Sequence, residues 1–367
     1  MAYQMCARCV MDNCSDETIF FDDQGYCNYC STAIESMPQR YFPNEEGQRR
    51  LGELIREIKE KGKGKKYDCL MGISGGLDSA YLAYLGHQHN LRILAIHVDD
   101  GFDTPAARTN IEKLSEACAI DVVYEQVDRE QYFALVKAFL RAGVPNLAIP
   151  QDNLIFAYLY KYAKEYDVRY FLSGGNFALE SILQRGNTHS AYDRRHIIDI
   201  NSKFGTTGLE KLRLTSNFER KIKDQLLLRI KEYRPLNYID YNKQTAIAEL
   251  EQFCGYDYHG GKHYESILTL FMQKYYLPRK FGVDKRRSHL SSLIVSGQLS
   301  REDALQILSE PLYGEEVELI ITDFLNLIDL SRTEFEQIMN SPPKQHSDFK
   351  TSYWKYVSKL ARRFRGF

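Results

Sequence analysis

Tyr67-Asp68-Cys69-Leu70-Met71-Gly72-Ile73 is a short apolar run, and Ser74-Gly75-Gly76-Leu77-Asp78-Ser79 stops it. The run reads as a buried strand, and Leu77 to His89 continues with helical spacing. The pattern then repeats. Leu91 to Val98 is a second strand stopped by Asp99-Asp100-Gly101, and Thr104 to Cys118 is helical. Ile120 to Val127 is a third strand, followed by helices at Arg129 to Arg141 and Asp152 to Tyr166. Val168 to Leu172 is a fourth, stopped by Ser173-Gly174-Gly175-Asn176. This alternation predicts the α/β class, with a doubly wound parallel sheet and right-handed crossovers.

On the amino-terminal side, Glu45 to Lys61 places Leu51, Leu54, Ile55 and Ile58 on one face of a charged helix that Gly62 and Gly64 end. From Tyr241 onward the chain is mostly helical, as at Arg301 to Glu310 and Glu315 to Leu330. His346 to Phe367 is basic and aromatic and predicts a solvated terminal helix.

One glycine suffices for an ordinary strand-to-helix turn. Two let the backbone approach a ligand closely, so that successive N–H groups converge on one point at the positive end of the following helix. The Ser74 and Ser79 hydroxyls add donors, which makes an oxyanion cradle suited to phosphate. The stretch is neither a Walker loop nor the dinucleotide fingerprint G-x-G-x-x-G.

Forty-eight basic residues balance 49 acidic ones, for a net charge of −1. A dedicated nucleic-acid binder carries a basic excess to neutralise phosphates, so the balance favours a small-molecule substrate and predicts no nucleic-acid partner. No apolar run approaches the roughly 20 residues that cross a bilayer. The amino terminus lacks the pattern of an export signal, which predicts a cytoplasmic protein with no transmembrane segment.

Five of the eight cysteines fall within the first forty residues. Cys6-x-x-Cys9 and Cys27-x-x-Cys30 are 17 residues apart, and each pair can grip one tetrahedral ion from a tight turn. The expectation is a structural Zn²⁺ closed by four protein ligands, hence non-catalytic, stapling a ribbon too small to build its own core. Cys14 is left over, and Cys69, Cys118 and Cys254 read as buried fillers.

Ser-Gly-Gly-x-Asp-Ser after a first strand resembles the pyrophosphate loop of the PP-loop ATP pyrophosphatases, whose fold is adenine nucleotide alpha-hydrolase-like. Members of that superfamily cleave ATP between its α- and β-phosphates and adenylate an oxygen that a nucleophile then displaces. The resemblance implies that Ser74, Gly75, Gly76 and Ser79 hold pyrophosphate, and that Asp78 orients the loop or helps place Mg²⁺. Asp99, Asp100 and Gly101 resemble the second-strand end that meets adenosine. Gly174, Gly175 and Asn176, with Glu180 on the next turn, resemble the later loop that closes over the nucleotide.

The combination of a cysteine ribbon, this loop, Tyr256-Asp257-Tyr258-His259-Gly260-Gly261-Lys262-His263-Tyr264-Glu265-Ser266 and the segment Lys280 to Ile294 is more specific. Together they resemble the N-acetyl sugar amidotransferase family of bacterial lipopolysaccharide and surface-polysaccharide biosynthesis. That resemblance implies ATP-dependent conversion of the acetamido group of a nucleotide-linked N-acetyl sugar, a UDP-diacetamido uronic acid by preference, to an acetamidino group. Ammonia would come from a separate glutaminase subunit paired with a cyclase-like barrel. Lys262, His263 and Glu265 become candidate catalytic groups beside Asp78, and Lys285, Arg286 and His289 candidate clamps for the sugar-nucleotide diphosphate. The domains expected are a zinc ribbon at 1–40, a linker helix at 41–66, the PP-loop domain at 67–240, a helical substrate-binding region at 241–345 and a basic tail at 346–367. A tRNA thiolase of the same superfamily and a non-catalytic nucleotide-binding interaction module are the rival readings.

Overall fold

The computed structural model describes residues 2–258, 260–261 and 264–352. After the cysteine ribbon come α1 (Asn28–Arg40), α2 (Glu45–Gly62), β1 (Cys69–Gly72), α3 (Leu77–Gln88), β2 (Ile93–Asp99) and α4 (Pro105–Cys118). Then follow β3 (Asp121–Gln126), α5 (Arg129–Ala142), α6 (Ile149–Glu165), β4 (Tyr170–Leu172), α7 (Phe177–Glu180), α8 (Arg194–Phe204) and β5 (Lys231–Tyr233). The rest is helical: α9 (Lys243–Cys254), α10 (Ile267–Phe271), α11 (Leu277–Phe281), α12 (Arg286–Val295), α13 (Arg301–Ser309), α14 (Val317–Ile328) and α15 (Arg332–Asn340).

Local chemistry sets these boundaries. Asn44, Thr104 and Asp128 cap α2, α4 and α5 through side-chain oxygens that accept from backbone N–H groups. Pro105 opens α4, where its missing N–H costs nothing. Gly143 ends α5 in the left-handed region, with φ +68°.

The five strands form one parallel sheet in the order β3-β2-β1-β4-β5. β5 is absent from the sequence reading, because Lys-Glu-Tyr at an edge carries no apolar period. Alternate residues of β1 feed opposite cores. Leu70 points into one built with α5, α6, α8, α10, α14 and α15, whereas Cys69 and Met71 point into another built with α2, α3, α4 and the ribbon. The chain winds from β1 towards β3 on one side and towards β5 on the other, so β1 and β4 flank the switch point. A ligand crevice belongs at the carboxyl ends of strands there.

The ribbon docks on α12 and α13, where Val10, Leu290 and Ala304 form a small core of their own. The carboxyl-terminal segment departs from expectation at its start. His346 is buried and its Nδ1 lies 3.0 Å from His196 Nε2 rather than in solvent. The remainder of the predicted terminal helix, 353–367, lies outside the described residues. Among the described residues, no helix is long and apolar enough to cross a membrane.

Candidate active site

A cavity of about 570 Å³ opens at the switch point. Its floor is the glycine-rich loop. Gly75 has φ +75°, and a Cβ there would sit 2.9 Å from Ala107 Cα and closer still to the Ala107 carbonyl oxygen. The loop is pinned from behind, because Gly75 O accepts from Tyr256 Oη at 3.1 Å and from Asn110 Nδ2 at 3.4 Å. The two hydroxyls converge, with Ser74 Oγ and Ser79 Oγ 3.3 Å apart, and Gly76 N–H donates to Ser74 Oγ at 3.3 Å. Hydroxyls and N–H groups thus face one place ahead of α3, a donor set that fits phosphate oxygens.

Asp78 ties three segments together. Its Oδ1 accepts from Asn176 Nδ2 at 2.9 Å and from the buried Tyr241 hydroxyl at 2.8 Å. Asn176 in turn caps α7 by accepting from Leu179 N–H at 2.8 Å, while its own N–H donates to Glu180 Oε2 at 3.3 Å. The loops after β1 and β4 are therefore joined by side chains, with Gly174, Gly175 and Glu180 on the cavity wall.

The end of β2 divides. Asp100 is buried on the cavity wall, accepting from Phe102 N–H, the Tyr132 hydroxyl and Gln151 Nε2, and burial pushes its carboxyl up to about 6. Asp99 turns outward to Arg129 at 3.2 Å and Arg108 at 3.5 Å. Neither Asp99 nor Gly101 lines the cavity.

The opposite wall comes from the carboxyl-terminal region. Glu265 Oε1 accepts from Ser74 Oγ at 3.4 Å, which puts a carboxylate directly over the loop. Lys285 and His289, one helical turn apart at the start of α12, also face the cavity. Arg286 is directed elsewhere. It grips Asp284 at 2.8 Å and donates to the carbonyls of Ile307 and Glu310. Lys262 and His263 lie outside the described residues.

Several contributors were not singled out from sequence: His97, Asp103, Gln151, Tyr241 and Tyr256. His97 alone left a usable signal, as the one polar residue inside the otherwise apolar Ile93–Val98 stretch. A strand covered on both faces has no solvent for such a side chain.

The four cysteines of the ribbon are buried, and their sulfurs lie within 4.8 Å of one another. Cys6 and Cys30 sulfurs are 3.7 Å apart, and Cys9 and Cys27 sulfurs 3.6 Å. A tetrahedral zinc with sulfur at about 2.3 Å sets its ligands about 3.8 Å apart, so the cluster fits that ion. Backbone N–H groups of Arg8, Cys9 and Cys27 point at Cys6 Sγ, which favours thiolate there. Cys27 also opens α1, but from a single β-bridge with Phe21 rather than from a strand.

Residues 265–361 match the family model described as LPS biosynthesis protein WbpG-like, C-terminal domain. Over those residues the chain is similar to a WbpG-like carboxyl-terminal domain. The match spans about a quarter of the chain and begins at Glu265, the residue that meets the glycine-rich loop. It bears out the resemblance to lipopolysaccharide biosynthesis read from the sequence. A relative from Methanocaldococcus jannaschii, Uncharacterized protein MJ1599, is 21% identical over 314 residues, covering 85% of this chain and 95% of its own length. Among solved structures, the NH3-dependent NAD synthetase from Campylobacter jejuni is 16% identical with a TM-score of 0.29, covering 57% of this chain and 93% of its own. The U34-tRNA thiolase NcsA from Methanococcus maripaludis is 13% identical with a TM-score of 0.33, covering 84% and 90%. The fold assignment rests on the sheet order, since overlaps this weak add nothing to it.

Proposed function

We propose that the protein is an ATP-dependent amidotransferase that converts the acetamido group of a nucleotide-linked N-acetyl sugar to an acetamidino group. One observation carries the reading: the glycine-rich loop and the WbpG-like domain line a single cavity, with Ser74 and Glu265 in contact across it. A phosphate cradle and a module of lipopolysaccharide biosynthesis thus face the same ligands.

In this reading the N–H groups of the loop and the hydroxyls of Ser74 and Ser79 hold the pyrophosphate of ATP. The loop after β4 closes over the nucleotide. The carboxylates of Asp78 and Glu180 line the cavity and would hold Mg²⁺, which neutralises phosphate charge when bound. The acetamido oxygen attacks the α-phosphate and pyrophosphate leaves. Ammonia then adds to the activated carbon, loses a proton, and AMP departs with the oxygen. Glu265 is placed to take that proton, and Lys285 and His289 to meet the sugar-nucleotide diphosphate. The four cysteines hold zinc away from this chemistry. Ammonia comes from a glutaminase partner with a cyclase-like barrel, and the site of action is the cytoplasm.

A tRNA thiolase draws no support here, because among the described residues no cysteine lines the cavity. The test is to incubate the protein with Mg-ATP, concentrated ammonium and a panel of nucleotide-linked N-acetyl sugars. AMP, pyrophosphate and a sugar about one mass unit lighter are expected with one sugar. AMP formed only with tRNA and a sulfur donor would replace this reading with the thiolase.

A further inference from the structure

His97 stands at the centre of a closed ring of contacts around the glycine-rich loop. Its Nδ1 lies 2.9 Å from the backbone oxygen of Ile73, the residue before Ser74. Its Nε2 lies 2.9 Å from Asp103 Oδ2. A carbonyl oxygen can only accept, so Nδ1 carries a hydrogen. An ionised carboxylate can also only accept, so Nε2 needs one as well. Remove that proton and a nitrogen lone pair faces a carboxylate in a site where His97 is 4% exposed. The pair is therefore stable only with one proton shared between Nε2 and Oδ2.

The surroundings favour that proton. Burial opposes a charged ring, but the hydrogen bond and charge of Asp103, the Ile73 carbonyl and the charge of Asp99 outweigh it and raise the imidazole pKa. The other titratable and charged groups nearby are Arg108, 3.8 Å from Asp103, Arg129 on Asp99, the Asp100 carboxyl, which the charge of Asp103 raises, and the Tyr124 ring against the imidazole.

Asp103 belongs to a short strap. It forms an antiparallel bridge with Ser266, Thr104 N–H donates to Glu265 O at 3.0 Å, and Ile267 N–H donates to Phe102 O at 2.7 Å. Glu265 on that strap returns to Ser74. We infer that the protonated His97–Asp103 pair is a latch that holds residues 265–267 against the glycine-rich loop, making His97 a positioning residue for Glu265. The inference rests on the proposed function only in taking Glu265 to act on what the loop binds.

Ring protonation tests it on the intact protein. With ¹⁵N-labelled histidine, one of nine ring signals disappears in His97→Gln and so identifies His97. Both its nitrogens should read as protonated at neutral pH, and Asp103→Asn should convert the ring to a neutral form whose Nε2 accepts from the amide. AMP formation should fall as pH rises through the raised pKa, and Asp103→Asn should lose about 100-fold in kcat with little change in the KM for ATP. A singly protonated His97 ring in the wild type at pH 6–7 overturns the latch, and that reading needs no variant to fold. So does an Asp103→Asn enzyme with full kcat. If no sugar ever elicits AMP but His97 is doubly protonated and Asp103→Asn neutralises it, the latch stands and the proposed reaction falls.

Discussion

Gly75 and Gly76 are adjacent, yet the same added methyl should do opposite things at the two. At Gly75, alanine must adopt φ +75°, and its Cβ must meet the backbone of Ala107 in the first turn of α4. That turn is capped by Thr104 and cannot retreat, so the loop must move and loosen its bonds to Tyr256 and Asn110. The left-handed conformation costs about 1–2 kcal/mol and the overlap about 1–3, together roughly 2–5 kcal/mol. For a chain of 367 residues this lowers Tm by about 3–6 °C. At Gly76 the backbone is extended, with φ −79° and ψ 160°, and the nearest atom to a new Cβ is Glu265 Oε1 at 2.6 Å. A carboxylate at the end of a flexible side chain can swing away, at the cost of about one hydrogen bond, roughly 0.5–1.5 kcal/mol. Gly76→Ala should therefore melt close to the wild type but lose at least about 100-fold in AMP formation, because Glu265 is evicted. Gly75→Ala should lose stability and ATP affinity together. The paired assay is a thermal melt with calorimetric ATP binding and AMP release. Wild-type turnover in Gly76→Ala would refute the placement of Glu265, and an unchanged melt in Gly75→Ala would refute the loop geometry.

Three further outcomes follow. Asp78→Ala should leave the buried Tyr241 hydroxyl without an acceptor and cost about 1–3 kcal/mol in a urea melt, whereas Asp78→Asn keeps an acceptor and should cost less; equal melts would contradict the tie. The raised Asp100 carboxyl contributes stability that is fully present below its ordinary value of 3.8, and that contribution is lost as pH rises through about 6. On the order of 3 kcal/mol of pH-dependent stability is at stake, so Asp100→Asn should flatten the Tm profile between pH 4 and 7, and an unaltered profile would remove Asp100 as its source. Arg287→Met should strand Asp12 buried without its cation, lowering Tm by several degrees and weakening sugar-nucleotide binding while zinc content and ATP affinity hold; unchanged sugar affinity would reduce the ribbon to a stability module.

The sheet was legible because β1, β2 and β4 are apolar runs ended by glycine-rich turns, and a strand buried on both faces leaves little else to read. The turn after β1 was legible for the same reason, since Gly75 and Gly76 answer a local backbone demand. The cysteine pairs were legible because metal ligation is a matter of spacing. What failed to show was anything set by long-range contact. Arg286 has the same sequence credentials as Lys285 and His289, but helical phase turns it towards Asp284 while its neighbours face the cavity. Asp99 and Asp100 are chemically identical and adjacent, yet one is exposed to Arg129 and the other buried under Tyr132. Tyr241 reaches Asp78 across 163 residues, a separation no local pattern encodes.

The ribbon's place in this arrangement follows from the geometry of α12. A helix presents different faces at successive residues, and the contacts of α12 fall on two of them. Lys285 and His289 face the cavity. Ser292 Oγ accepts from Ile182 N–H at 3.0 Å, bracing the loop that follows α7. Arg287 and Ser291 face the ribbon: Arg287 pairs with Asp12 at 2.9 Å and donates to Val10 O, and Ser291 Oγ accepts from Val10 N–H at 3.2 Å. Arg301 of α13 adds bonds to the carbonyls of Cys6 and Cys9, so two residues of the four-cysteine cluster are themselves part of the contact. A segment of this size has little room for a core of its own, so its shape rests on these contacts and on the four-cysteine cluster, which could hold a metal ion. The helix that carries Lys285 and His289 is thus held by the ribbon on one face and by the loop after α7 on the other. A helix supported on only one side would be free to tilt, and the distance between the glycine-rich loop and the pair Lys285 and His289 would change with it. Two supports hold that distance constant, which is the condition the proposed reaction sets, since it must align two large ligands before any bond is made.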